Sequence, residues 1–165
     1  MRFLILIIIV FFSSCDYYIV EDYTDHIGVI DKSKSLGDKD FKACFEEKIF
    51  PYYYGRSRAA FYAGKDSIRS YFEENFLYTG IGTESGYITF RFIVNCKGEA
   101  GRYEIREVGM DFKNKKFLPE LVDRLFERVK ALKKWNPVEF YGDRYDSFYH
   151  LTFKIVNGEI DEILP

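Results

Sequence analysis

The chain has only two histidines, His26 and His150, and carries no HExxH, GxSxG, CxxC, Walker A or Rossmann fingerprint. Each of those patterns sets a metal-ligand pair, an activated nucleophile, a redox dithiol or a phosphate cradle on a defined turn or helix face. Without them the sequence gives no basis for hydrolytic, redox or nucleotide chemistry. His150 stands alone in an alternating segment and reads as a polar surface residue. Glu73-Glu74 and Asp161-Glu162 read as solvated faces, and Gly80-Ile81-Gly82 is too little to cradle a phosphate. A non-enzymatic protein is expected, with no catalytic residue, metal or cofactor assigned. Proline is scarce, at 4 in 165 residues, so there is no stiff extended spacer. Neither charge sign is in large excess, with 24 basic against 26 acidic residues. That balance lacks the clustered positive charge of a nucleic-acid surface and the polybasic patch that holds anionic lipid.

Long apolar runs are also missing, because a spanning helix needs ~20 such residues. The run that does occur, residues 3–12, is half that length and follows the single charge of Arg2, as in the h-region of a secretory signal. Ser13-Ser14-Cys15 after it resembles the lipobox of a bacterial lipoprotein signal peptide, with Phe12 where that motif usually has Leu. The resemblance implies cleavage before Cys15 and acylation of that cysteine. It also implies a lipid-anchored location in the cell envelope, facing the periplasm or the exterior. An ordinary cleaved signal and a short uncleaved anchor are the competing readings. The expected organisation is a signal peptide at 1–14, a tether at 15–40 and one domain at 41–165. With Cys15 used for lipid, Cys44 and Cys96 remain. In an oxidising compartment they are the disulfide candidate, and free thiols are the alternative.

What the chain has in abundance is aromatic side chains, 14 Tyr, 17 Phe and 1 Trp, which favour strands and supply large buried areas. Strict alternation predicts a strand over Tyr87–Asn95, with Ile88, Phe90, Phe92 and Val94 on one side and Thr89 and Arg91 on the other. After the turn signal Asn95-Cys96-Lys97-Gly98, a second strand over Gly101–Val108 places Arg102, Glu104 and Arg106 on one face. That row is either the wet side of a half-covered sheet or a polar contact surface. A third strand, Ser147–Val156, precedes the tight-turn dipeptide Asn157-Gly158 and a short strand near Glu159–Leu164. Helices are predicted over Ser67–Phe76, capped by Asp66, and over Leu118–Lys134. The second has Pro119 in its first turn and an apolar stripe of Leu118, Leu121, Val122, Leu125, Val129 and Leu132. Trp135 at the end of that stripe is expected to close the core. Tyr52-Tyr53-Tyr54 is the candidate for a ring-lined binding surface.

The segment from Gly86 to Gly98, the helix end Leu132-Lys133-Lys134-Trp135-Asn136-Pro137 and the strand Tyr149–Ile155 resemble, in order and spacing, the C-terminal domain family of TonB. The resemblance spans about residues 60–156. It implies an α+β fold in which a small antiparallel β-sheet of three or more strands is packed by two helices, in the order α-β-β-α-β. It also implies a free edge on the last strand, at Tyr149, His150, Leu151, Thr152, Phe153 and Lys154. There an envelope protein or a receptor peptide would add a strand. An energy transducer further needs an uncleaved spanning helix and a long Pro-rich reach, neither of which is seen. The expected function is therefore a lipid-anchored binding protein of the envelope, with a TonB-dependent receptor as one possible partner. The alternative is a glycan-binding lipoprotein using exposed rings at Tyr52, Tyr53 and Tyr54.

Overall fold

In the computed structural model, residues 30–37, 39–53, 60–75 and 82–164 are described. The leader with Cys15, His26, Tyr54, Phe76 and the Gly80-Ile81 dipeptide lie outside them. The elements among the described residues are β1 (Phe50–Pro51), β2 (Ala60–Phe61), α1 (Gly64–Asn75), β3 (Gly86–Val94), β4 (Ala100–Gly109), α2 (Pro119–Ala131), β5 (Trp135–Asn136), β6 (Val138–Phe140), β7 (Asp143–Tyr145), β8 (Ser147–Val156) and β9 (Glu159–Leu164).

Side-chain alternation sets the centre of the fold. Every second residue of β8 is buried from Ser147 onward, and Ile88, Phe90, Phe92 and Val94 of β3 are wholly buried. These residues form one apolar face, and both helices pack on it. Ile68 and Phe72 come from α1, and Leu121, Val122, Leu125 and Val129 from α2. The Phe72 and Phe153 rings meet edge to face at 4.8 Å. Trp135 closes the cluster, and its indole N–H donates to the Leu132 carbonyl at 3.2 Å. Burial of side chains of this size stabilises by about 1.5–3 kcal/mol each.

The helix limits differ from the sequence reading at their ends. Asp66 lies in the first turn of α1, which begins at Gly64. Pro119 opens α2 as expected, but Leu118 stands before it, partly exposed. The Leu118 backbone N–H donates to the Glu84 carboxylate at 3.0 Å, a negative charge placed where the helix dipole favours it. The helix stops at Ala131, and Leu132 is already extended.

The sheet departs from the predicted pattern in two ways. First, it is mixed: β1 runs parallel to the start of β8, whereas β3, β4 and β9 pair antiparallel to their neighbours. Second, β8 is interior. Its partner on one side is β3, along Ser147–Ile155. On the other side, β1 covers Ser147 and Phe148, and β9 covers Thr152–Val156. The free edge placed on Tyr149–Lys154 is therefore corrected at Thr152, Phe153 and Lys154, which pair with β9. The cause is Asn157 (φ 51°) and Gly158 (φ 79°), whose left-handed conformations make a two-residue hairpin turn and fold β9 onto β8.

The segment read as a tether is also corrected from residue 30 onward. Ile30 is buried, and Leu36 exchanges two backbone hydrogen bonds with Tyr103, at 2.7 and 2.9 Å. The strap that follows, residues 39–53, crosses the sheet face opposite the helices. Gly101 lets Phe41 lie against the β4 backbone, since a Cβ there would fall 2.3 Å from the ring. Cys44 and Cys96 are joined as a disulfide, with Cα atoms 6.0 Å apart. That bond indicates an oxidising, extracytoplasmic location. Among the described residues no helix is long and apolar enough to cross a membrane.

The bridge spans a sequence separation of 52 residues. Replacing both cysteines with Ser should lower the unfolding free energy by about 3–4 kcal/mol in the chain-entropy model. Urea unfolding of the two proteins under oxidising conditions checks this.

Candidate functional site

The face of the sheet away from the helices is arranged in cross-strand rows. Glu104 of β4, Arg91 of β3 and His150 of β8 stand directly opposite one another. Arg106, Thr89 and Thr152 make the adjacent row, and the two threonine hydroxyls share a hydrogen bond of 2.9 Å. The pairing of β1 aligns Pro51 with Phe148, so the chain leaves β1 beside these rows and sets Tyr52 and Tyr53 next to them. The Tyr52 ring lies edge-on to Tyr149 and to His150, each at 5.5 Å.

Between these groups lies a cavity of about 400 Å³, lined by Tyr52, Tyr53, Phe148 and His150 on one side and by Thr89, Arg91, Arg106 and Val108 on the other. Glu104 serves both guanidinium groups. One of its oxygens accepts from Arg91 at 2.8 Å and the other from Arg106 at 3.0 Å. Burial draws the Arg91 pKa below its usual value. The Glu104 carboxylate opposes that shift, and the nearby Arg106 charge adds to it. Burial also pushes the Tyr149 hydroxyl up to about 12, with Tyr52 acting in the same direction.

The polar row expected at Arg102, Glu104 and Arg106 is divided. Arg102 is set apart from the other two. It is buried, and it grips Glu46 of the strap through two bonds of 2.8 and 2.7 Å. A register break in the β3–β4 pairing between Arg91 and Ile93, with Arg102 at φ 54°, re-aims this side chain. Glu104 and Arg106 remain with Arg91 on the open face. Of the residues expected on a free edge, Tyr149, Leu151 and Phe153 point into the core, while His150, Thr152 and Lys154 stand half-buried on the other face. Tyr52 and Tyr53 meet at 84°, so they do not offer the coplanar platform that stacks on a sugar.

Two residues that shape this side of the sheet escape the sequence reading. Arg91 had one signal, an arginine in an otherwise apolar strand, on the outward set. Asp146, fully buried, had none. Its carboxylate accepts from the backbone N–H of Phe45 at 2.6 Å and of Cys96 at 2.8 Å. It lies close to both sulfurs, but the disulfide withholds them as metal ligands.

Nothing among protein-family models, curated proteins or solved structures matches this chain.

The Arg102 grip makes stability depend on pH. Hydrogen bonds from Arg102 hold the Glu46 carboxyl below its usual range, against the opposing effect of burial. A group whose pKa is depressed on folding contributes stability above its unfolded value, and loses that contribution as pH falls through the folded value. Arg102→Met should therefore flatten the loss of stability between about pH 5 and pH 3. Urea midpoints of both proteins across that window check this. Equal slopes would show that Arg102 does not hold Glu46.

Proposed function

We propose that this protein is a lipid-anchored component of the cell envelope that captures an extended segment of a partner protein by strand addition, without catalysis. The observation that carries the reading is the outer edge of β9. Glu159–Leu164 pairs with β8 on one side and with no strand on the other among the described residues. Such an edge presents unpaired N–H and C=O groups that an incoming strand satisfies.

The opposite edge of the sheet is less open. On β4, Leu36 pairs at Tyr103, and Lys113 and Lys115 bond at Gly109 and Glu107. The strand-addition reading thus moves from β8 to β9. The order of helix, hairpin, helix and strand agrees with the resemblance to the TonB C-terminal domain family, which suggests a TonB-dependent receptor as the partner class. The lipobox-like leader and the oxidised cysteines agree with an envelope location. The β9 edge also selects among partners. It carries Glu159, Asp161 and Glu162, of which Asp161 is engaged by Lys154. A segment carrying basic residues complements it, and the same charges oppose self-pairing of β9.

The test places a photo-crosslinking residue at Glu162 and, as a control, at the highly exposed Tyr141 in the β6–β7 turn. Crosslinking to one envelope protein from position 162 but not from 141 is expected. The Val156–Glu159 pair closes the hairpin, so the next residue, Ile160, turns its N–H outward. Ile160→Pro should then reduce capture about ten-fold while the hairpin persists, since an edge position tolerates proline. Equal crosslinking from both positions, or capture untouched by the proline, overturns the reading.

A further inference from the structure

The two margins of the main sheet are β4 and β9, with β3 and β8 between them. The chain enters the domain along the β4 margin, where Leu36 pairs at Tyr103. The loop that follows β4 folds back on the same margin, where Asn114 pairs at Val108. Five residues of β4 separate the two bridges, about 17 Å along a strand. Ile30, the first described residue, follows Cys15 by 15 residues, a length of chain that spans at most about 50 Å. The inference drawn here rests on the reading of Cys15 as the acylated residue, which keeps Ile30 within that distance of a bilayer. Tethering of this kind raises the effective concentration of a nearby surface, so a weak contact suffices to orient the domain.

The loop at residues 109–116 presents a surface of mixed character. Met110 is 48% exposed and Phe112 74%. A bulky side chain rarely adopts a φ of 60°, yet Phe112 is held there by a tight turn. Its N–H donates to the Gly109 carbonyl at 3.0 Å, and the Asp111 carboxylate accepts from the Lys113 N–H at 3.2 Å. The Phe112 ring stacks on Tyr87 at 5.5 Å. Beside these apolar groups the Lys113 and Lys116 side chains are 83% and 86% exposed, reaching Asp111 and Glu107. Lys115 is turned inward, to the Ser85 carbonyl and the Phe117 ring. The core of a protein–protein interface is depleted of lysine. A bilayer surface suits both kinds of group at once: apolar side chains enter the boundary of the acyl chains, while lysine ammonium groups stay at the phosphates. We propose that this loop rests on the bilayer that carries the lipid anchor, with Met110 and Phe112 in the interfacial zone and Lys113 and Lys116 at the headgroups. Contact along β4 turns the opposite margin, β9, away from the membrane, toward the space where a partner segment is met.

The test uses the full acylated chain in vesicles of phosphatidylcholine and phosphatidylglycerol, with and without bromine on the acyl chains. Tryptophan is placed by Phe112→Trp and, as a control, by Tyr141→Trp. The turn that holds Tyr141 leads into the start of β8, opposite Val94, whereas the loop follows Gly109, opposite Gly86 at the other end of β3. The native Trp135 is buried in the core, and the unchanged chain supplies its background signal. Emission from the Phe112→Trp variant should fall about two-fold on brominated lipid, as expected of a ring at the headgroup–acyl boundary. Emission from the Tyr141→Trp variant should not change. Both positions are exposed, and thermal midpoints verify folding. A photo-crosslinking residue at Phe112 in native membranes should label lipid. Quenching that is absent from the Phe112→Trp variant or equal in the two variants overturns the proposal, and so does labelling of a protein from position 112. Mass spectrometry of Cys15 reads the anchor separately. An acylated Cys15 without quenching sinks the loop contact alone, whereas a bare thiol sinks the anchor and the contact together.

Discussion

The carboxylate of Asp146 holds three parts of the chain at one point, and the open face of the sheet depends on it. Its oxygens accept from the backbone of Phe45 in the strap and of Cys96 in the β3–β4 turn, and its own carbonyl accepts from Phe50 at 2.9 Å. A carboxylate taken wholly out of water must be met by donors, and these N–H groups meet it. The disulfide crosses the same point, so a polar tie and a covalent tie fix the strap together. Next in the chain comes β1, whose parallel register against β8 is what carries Tyr52 and Tyr53 over the sheet. Without the strap, Arg91, Arg106 and Phe148 would stand on a flat face and there would be no cavity.

Asn95 strengthens that node from the hairpin side. Its side-chain oxygen accepts from the backbone of Lys97 and Glu99, and its amide donates to the Lys42 carbonyl at 3.1 Å. One buried side chain therefore shapes the turn and binds the strap. The Arg102–Glu46 pair does the same a few residues along β4. The two faces of the sheet are thus stabilised by different physics. The helix side rests on interlocked aromatic and aliphatic groups, and the strap side adds directed polar contacts and one covalent bond to the packing of Phe41, Phe45 and Phe50.

This division explains what the sequence revealed. Wherever a face is buried by apolar packing, periodicity reports it. Ile88, Phe90, Phe92 and Val94 alternate, Leu121 to Val129 recur at helical spacing, and Asn157-Gly158 marks the hairpin turn. The strap side leaves no periodic trace. Asp146 differs in composition from no other surface aspartate. Arg102 sits in register with Glu104 and Arg106 until a left-handed residue and a break in strand register turn it aside. The parallel contact of β1 involves two residues, too few to make a pattern. The free edge was misplaced for a related reason. The turn that folds β9 back was legible, but its consequence, that β9 occupies the side of β8 left open by β3, is a matter of sheet topology. The cavity gathers Tyr52, Tyr53, Arg106 and His150, singled out in the sequence for three different reasons, and only the register of β4, β3, β8 and β1 joins them.

Location and site are coupled through the same bond. The strap carries one wall of the cavity, and the strap is tethered by Cys44–Cys96. In a reducing compartment that covalent tie would open, leaving the polar contacts of Asp146, Asn95 and Arg102 and the packing of Phe41, Phe50 and Tyr52 to hold the strap. An exported chain forms the tie in the compartment where a lipobox-like leader would deliver it, so the wall becomes rigid there. Rigid walls matter here because Arg91 is nearly buried. A mobile strap would admit water to that guanidinium, raise the local dielectric and weaken its pairing with Glu104. The covalent bond stabilises the fold and, through the strap, sets the electrostatic strength of the face it covers.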